Sequence, residues 1–533
     1  MYFGCCPRLN IRYPSALASR ANREKSESAQ DTWEPCEYRC IEFDTSLPAQ
    51  VKCTLGGTGA GSKELSGEKI QSPHKMSRPR KEVISWLCYL SAALASHAAS
   101  AYSPAKEQLM EYWQIAAVPV LVGITTFTTG FALAPMAFAP LSEVFGRKPV
   151  FIYTGVLFVV CQICCGATSS YPGMLVARFF AGVGGSTYSS MVGGVISDLY
   201  ASNERNTPMA LFSCAALFGV GTGAVASGFT AQYTTWRWVF YSQAIANGIL
   251  VGSFALFFSE TRSTVLLRRK ASEFNALHKM AEQAAAAAGD ADSIPRIRWK
   301  SREDEQRSSV AKLIKISVTR PFCLLFTEPV VFFFSLWAAF AWAVLYVALA
   351  AAPLVFSTVY GFSLSESNAI LASMCVGSVM FAPLSIYQEK FARHLERLPD
   401  TPEARLYFSC VESALLPVGL FVFAWTVNAA VHWIVPAIAI GIATMGIFSI
   451  YLAVFNYLSD TYGSVSSSTL AAQSFCRNGL GGVLTLVTKL MFTKMGYGPA
   501  GSCLGGIALA LTLVPWALVF FGKEIRQRSR FAE

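Results

Sequence analysis

Phe138-Ala-Pro-Leu-Ser-Glu-Val-Phe-Gly-Arg-Lys-Pro149 closes one apolar segment and opens the next. Its first five residues return as Phe381-Ala-Pro-Leu-Ser385, 243 positions later. A second pair behaves in the same way. Ser197-Asp198-Leu199-Tyr200 ends one apolar segment, and Ser459-Asp460-Thr461-Tyr462 ends another, 262 positions on. Both matches pair an apolar segment with the sixth one after it. A single five-residue match carries little weight, but two in the same phase point to an internal duplication. The chain reads as two six-helix halves.

Working outward, the 533 residues are 53% hydrophobic and only 14% charged, against about 25% charge in an average soluble domain. Those charges cannot coat a soluble protein of this length, so the composition excludes an ordinary globular protein and predicts a polytopic membrane protein. A helical span needs about 20 apolar residues. Spans are expected near 84–104, 116–138, 149–168, 173–197, 209–231 and 238–258 in the first half (84–258). In the second half (328–521) they are expected near 328–352, 366–387, 406–426, 431–457, 467–492 and 499–521. Residues 1–80 are polar and without period and read as a disordered tail. Residues 259–326 form a polar central loop, in which Ala284–Ala288 reads as a piece of helix, and residues 522–533 form a short basic tail.

Lys and Arg set the orientation. With the N-terminus in the cytosol, the inner segments counted from Lys75 onward carry 28 basic residues and the outer loops 4 (Lys106, Arg237, Lys489 and Lys494). Both termini are therefore expected inside, and the net charge of +10 is a topology signal that calls for no nucleic-acid partner. Met1–Cys6 precedes Arg8 and Arg12, and no apolar run of a signal peptide follows. No N-glycosylation sequon is present, and the 15 cysteines show neither a pairing framework nor zinc spacing. Gly56-Gly-Thr-Gly-Ala-Gly-Ser-Lys63 has Ser before Lys and no apolar strand ahead of it, so it is not a phosphate loop.

The 138–149 stretch has a mechanism written in its residue types. Gly146 allows a turn, Arg147 and Lys148 hold the cytosolic face, and Glu143 sets an acid beside them. An ion pair from this loop to Asp198, at the end of span 4, could lock one conformation and release in another. Arg178 lies a little over one turn into span 4. A charge in the hydrocarbon layer costs at least about 2.5 kcal/mol and normally faces a cavity or a partner.

The loop resembles the signature of the major facilitator superfamily, Gly-x-Leu-Ser-Asp/Glu-x-x-Gly-Arg-Arg/Lys. Further segments resemble its fungal twelve-helix drug:proton antiporter family: Tyr102-Ser-Pro-Ala105, Arg178-Phe-Phe-Ala-Gly182, Trp236-Arg-Trp-Val-Phe-Tyr241, Glu260-Thr-Arg262, Leu325-Phe-Thr-Glu-Pro329, His432-Trp-Ile-Val-Pro436 and Asn456-Tyr-Leu-Ser-Asp460. The likeness covers about residues 77–525. It implies an all-α major facilitator fold with twelve transmembrane helices in two six-helix halves, and a role for Arg178 in proton coupling. The Asn-Trp element usual before span 1 is missing. In span 5 Gly219 and Gly223 are kept, but Val220 and Ala224 stand where the family's antiporter motif has prolines, which weakens the inference from motif to direction of transport.

Small residues recur at helical spacing, among them Gly182, Ser186 and Gly194 in span 4 and Gly219 and Gly223 in span 5. Close helix packing is their expected role. Tyr102, Thr126, Tyr188, Tyr346, Glu412, Gln473, Arg477 and Asn478 are candidate cavity residues, each also explicable by packing. Glu412 is the one acid well inside a span. Its position near Arg405 suggests a carboxylate reaching toward the cytosol, with a protonatable carrier as the alternative. Glu328 reads as a helix cap.

The expected function is a secondary transporter, not an enzyme. It is read as a monomer in the plasma membrane, exporting a hydrophobic drug, toxin or secondary metabolite in exchange for protons. The proton gradient is the energy source, with no cofactor and no metal. A polyamine exporter, a nutrient facilitator and a non-transporting sensor are the alternatives; scarce buried acids disfavour the first.

Overall fold

A computed structural model describes residues 37–48, 51, 70–202, 204–287, 297–301, 310–395, 401–462 and 466–529. The Gly56–Lys63 motif lies outside them. The chain divides into two compact units: residues 1–71 with 266–307, and residues 72–265 with 308–533.

The larger unit is a helical bundle. Its first half contains α1 (Arg78–Ser100), α2 (Ala117–Phe145), α3 (Arg147–Ala167), α4 (Tyr171–Ser190), α5 (Val192–Leu199), α6 (Asn206–Tyr233) and α7 (Trp236–Phe257). After α8 (Ser263–Ala287) and α9 (Val310–Thr327), the second half contains α10 (Pro329–Val359), α11 (Leu364–Ala369), α12 (Ala372–His394), α13 (Tyr407–Glu412), α14 (Leu415–Thr426), α15 (Ile434–Thr461), α16 (Ser466–Met495), α17 (Tyr497–Leu511) and α18 (Leu513–Arg528).

Among the described residues, ten helical stretches are long and apolar enough to cross a membrane. The two remaining expected spans are also helical. Span 4 is divided into α4 and α5 at Met191, and span 11 is the 30-residue α16, which carries Arg477, Lys489 and Lys494. Spans 8, 9 and 12 are likewise divided, near Ile370, Ser413 and Thr512. The repeat seen in sequence has a structural counterpart: Pro140 and Pro383, from the two copies of the five-residue motif, both lie inside helices, α2 and α12.

Local chemistry sets the helix ends. Ser170 caps α4, its hydroxyl accepting from the Gly173 N–H with Pro172 in the first turn. Ser363 and Glu366 form a reciprocal capping box on α11. Gly146 joins α2 to α3 at φ +104°, a conformation that glycine adopts at little cost.

Close approaches assemble the halves. On α4, Gly182 faces the Phe127 carbonyl of α2; on α6, Gly219 and Gly223 face Ala93 and His97 of α1. A side chain at any of these would meet backbone, which is the packing role expected from the spacing. Ser186 is buried and donates to the Val183 carbonyl. The α6 helix runs unbroken from Asn206 to Tyr233, as expected where Val220 and Ala224 replace prolines. The halves meet where α6 packs on α12, Gly221 lying against Leu371 and Cys375, and where α2 packs on α16, Thr125 donating to the Gly482 carbonyl at 3.1 Å.

The smaller unit corrects the reading of residues 1–80 as wholly disordered. Strand β1 (Glu37–Cys40) pairs in parallel with β2 (Ile297–Lys300). Ile41, Leu47 and Val51 share a core with Phe274, Leu277 and Trp299. The Lys270 ammonium donates to the carbonyls of Glu42, Phe43 and Thr45 at 3.2, 2.7 and 2.7 Å. The polar tail carried no local signal for this, because its strand partner lies some 260 residues away. The alanine run is helical as expected: α8 includes Ala284–Ala287 and carries acidic and basic residues along its length.

Candidate functional site

Three groups of polar residues stand out in the larger unit. Two lie at the end of the bundle where α1 begins and α18 finishes. This basic end carries Arg147, Arg205, Arg262, Arg405 and Arg526. The third group lies in the interior.

At the basic end of the first half, Arg147 is 3% exposed and its Nε lies 3.1 Å from Asp198. Its Nη1 donates to the Ser142 hydroxyl at 2.7 Å. Arg262 approaches the other Asp198 oxygen at 3.4 Å and Glu143 at 4.0 Å. Gly194 leaves room for the guanidinium: a Cβ there would stand 2.7 Å from Arg147 Nη2. Gly194 therefore serves the ion pair, rather than the close helix packing expected from its spacing. The Lys148 ammonium donates to the Ala255 carbonyl.

The organising acid is Glu260. Its carboxylate accepts from the backbone N–H groups of Arg147, Lys148, Thr261 and Arg262 at 2.9–3.1 Å. Two of these donors belong to the first turn of α3, where the helix dipole favours a negative charge. Glu260 also lies against Gly146, so one carboxylate pins the turn. The sequence showed Glu260 only as part of a resembling motif and carried no hint of its partner.

The second half repeats the arrangement. Asp460, the counterpart of Asp198, pairs with Arg405 at 3.1 Å, and Arg405 pairs with Glu389 at 2.7 Å. Here the cluster crosses between halves. Arg205 Nη1 lies 3.1 Å from Asp460, Arg405 donates to the Ser202 carbonyl at 2.9 Å, and Asn456 donates to Asn206 at 2.9 Å. The Ser-Asp repeat could have nominated Asp460; nothing local could have nominated Arg205.

A cavity of about 560 Å³ opens beside this cluster, lined by Asn206, Gln388, Glu389, Arg405, Glu412 and Asp460 among others. Glu412 ends α13. Its carboxylate accepts from Gln388 of α12 and from Ser449 of α15, and Ser449 in turn bonds Ser409. Among the described residues, no cation pairs with Glu412. It is thus held by neutral donors at the wall of a polar cavity. Glu328 precedes α10 without capping it through its side chain; it accepts from the Tyr462 hydroxyl at 3.4 Å.

In the interior, Arg178 is 1% exposed. Its Nε donates to the Gly123 carbonyl at 3.1 Å and its Nη1 to the Ala98 carbonyl at 3.4 Å. The guanidinium lies between the rings of Tyr102 and Phe127, 4.6 and 4.4 Å from their centres. Among the described residues, its Nη2 and the Tyr102 hydroxyl have no hydrogen-bond partner. Across the bundle the Arg477 guanidinium lies over the rings of Trp342 and Tyr451. In the interior, a pocket of about 10 Å³ lies between the halves, lined by Ser96, Phe131 and Ser189 of the first half and Trp342, Tyr346 and Asn478 of the second.

The remaining candidates divide. Tyr346 and Asn478 line that interior, and Asn478 bonds Ser474. Gln473 is fully buried on the Arg477 face of α16. Tyr188 lies inside the first half, packed against both Phe151 and Phe254, and donates to the Phe151 carbonyl. Thr126 donates to the Gly123 carbonyl. For these two the contacts are those of packing. Trp342 and Tyr451 escaped the sequence reading, since buried aromatics are common in such helices.

Comparison with known proteins agrees with this architecture. The chain is 31% identical over 468 residues to the efflux pump FUBT of Fusarium oxysporum, covering 87% of this chain and 76% of that one. It is 30% identical over 523 residues to the multidrug transporter mdrA of Aspergillus fumigatus, covering 96% and 83%. Among solved structures, the proton:xylose symporter XylE superposes with a TM-score of 0.61 at 14% identity, covering 83% of this chain and 97% of that one; at that identity the likeness concerns the fold. The model of the Major Facilitator Superfamily matches residues 86–486. With its duplicated helical halves and the paired Arg147–Asp198 loop, the chain belongs to the major facilitator superfamily and is a multi-pass membrane transporter, not an enzyme.

Proposed function

We propose that this transporter exports hydrophobic small molecules from the cytosol across the plasma membrane in exchange for protons. The basic end faces the cytosol, as the distribution of Lys and Arg favours. The carrying observation is the interior: two helical halves meet around a small pocket lined in part by Phe131, Trp342 and Tyr346, and are tied across the basic end by Arg205–Asp460. Such a construction suits alternating access, in which breaking and remaking that tie opens the centre to one side and then the other. Named relatives that are efflux pumps and multidrug transporters support export of a drug, toxin or secondary metabolite.

Proton coupling is assigned to Arg178, whose charge has no acidic partner among the described residues, and to Glu412, whose carboxylate can gain or lose a proton at the cavity wall. The same cavity counts against a polyamine cargo. Of its three acids, Glu389 and Asp460 already pair with arginines, leaving one carboxylate where a polyamine would want several.

The test is flux in proteoliposomes under an imposed pH gradient, with neutral dyes, azoles, polyamines and fungal metabolites as cargo. Uptake of apolar cargo that scales with the gradient is expected. Flux indifferent to the gradient would sink the proton coupling, and movement of polyamines alone would reverse the choice of cargo.

A further inference from the structure

Gln473 and Arg477 stand one turn apart on the same face of α16, 0% and 1% exposed. The Arg477 guanidinium lies 4.5 Å from the ring centre of Trp342 and 5.1 Å from that of Tyr451. Among the described residues, five polar atoms here have no hydrogen-bond partner: Arg477 Nε and Nη1, both amide atoms of Gln473, and the Tyr451 hydroxyl. A buried polar group left without a partner costs about 1–3 kcal/mol, and more when charged. Among the described residues, no carboxylate pairs with Arg477.

The aromatic rings answer part of this need. A ring face attracts a cation, but it leaves the guanidinium's N–H donors, which lie in the plane of the group, without acceptors. What fits that edge is a planar acceptor of opposite charge, and a carboxylate fits it with two parallel hydrogen bonds. Gln473 and the Tyr451 hydroxyl add neutral donors. The second interior cation, Arg178, raises the positive potential of the same region. Water could fill hydrogen bonds here but would leave the charge uncompensated, and a cationic cargo would be repelled.

We infer that Arg477, with Gln473 and Tyr451, forms the subsite for the acidic group of an amphipathic organic anion, an aromatic or alkyl carboxylate. Its apolar body lies along Trp342 and Tyr346 when the halves part. This names a cargo class within the exporter reading and rests on it for the direction of transport only. Binding itself requires neither export nor a gradient.

The experiment therefore measures binding on the purified full-length protein by calorimetry, at neutral pH. The probes are naphthoate, its uncharged methyl ester and the cationic naphthylmethylamine. Naphthoate should bind on the order of tenfold more tightly than the ester, the worth of one charge-assisted hydrogen bond, and the amine should not compete. Arg477→Gln should bring naphthoate to the level of the ester, and Arg477→Lys should keep part of the preference. Should neither Arg477 variant fold, Gln473→Leu should narrow the preference in the same direction. Equal binding of naphthoate and ester by the wild type, or a preference that survives in Arg477→Gln, overturns the proposal. Absence of pH-driven flux in proteoliposomes, with the carboxylate preference intact, would overturn the exporter reading and leave this subsite standing.

Discussion

Arg205 Nη1 of the first half lies 3.1 Å from Asp460 Oδ1 of the second, with both side chains about 15% exposed. Asp460 also holds Arg405, so one carboxylate serves a pair within its own half and a pair across the halves. That double duty makes it a natural point of release. Removing one partner of such a largely buried pair costs about 3 kcal/mol or somewhat less, because the remaining charge is stranded. Arg205→Ala should therefore shift the two halves toward separation at the basic end. Disulfide crosslinking between Asn206→Cys and Asn456→Cys, whose side chains are in contact, should fall several-fold in the Arg205→Ala background. Unchanged crosslinking would show that the tie does not hold the halves.

Gly194 tests the loop from a different side. The atom that an added Cβ would meet is the far end of the Arg147 side chain, which can move with little loss of stability. Gly194→Ala should express normally and unfold within about 1 kcal/mol of wild type, yet turn over more slowly because Arg147 is pushed from Asp198. Gly248→Ala, which enters open space, is the matched control. Equal turnover in the two variants would mean that the exact seating of Arg147 does not matter.

Glu412→Gln keeps the size of the side chain and removes its charge. If this carboxylate carries protons, the variant should lose about tenfold or more of its gradient-driven flux while gradient-free exchange of the same cargo persists. The comparison of the two fluxes is the measurement, since a merely structural role would lower both together.

Arg178 is fixed by two backbone carbonyls and two rings, contacts that suit a structural residue as well as a coupling one. Arg178→Lys can retain the charge but not the fork of donors. If the charge matters, Arg178→Lys should keep a measurable share of coupled flux and Arg178→Ala should abolish it at matched expression. Wild-type coupled flux in Arg178→Ala would reduce the residue to scaffolding.

The smaller unit makes a prediction about pH. His278 on α8 is buried, and desolvation lowers its pKa below the ordinary imidazole value of 6.5. The unfolded chain therefore binds the proton more readily than the folded one. The stability from burying neutral imidazole is full above about pH 6.5 and is lost as pH falls through that range. Limited proteolysis of the tail and central loop should accelerate on acidification, and His278→Leu should remove that dependence. Proteolysis of the wild type that ignores pH would contradict this.

Much of the fold was legible from covalent order alone. Apolar length marks a span because a helix in lipid must satisfy its own backbone, and the two repeated motifs placed Pro140 with Pro383 and Asp198 with Asp460. The partner of Asp198 could be suggested because Arg147 lies in a loop beside it in the helix order. Glu260 could not be given its task in that way, since holding the Arg147 turn depends on how α7 ends in space.

The charges within spans show the same division. Sequence determined that Arg178, Glu412 and Arg477 are costly where they stand, because a low-dielectric solvent penalises any ion. Only the tertiary structure decided what surrounds each one: carbonyls and rings at Arg178, neutral donors and a polar cavity at Glu412, and rings with unfilled donors at Arg477. Helical periodicity fixes which face a residue occupies, but the chemistry it meets comes from helices distant in the chain, brought near by packing.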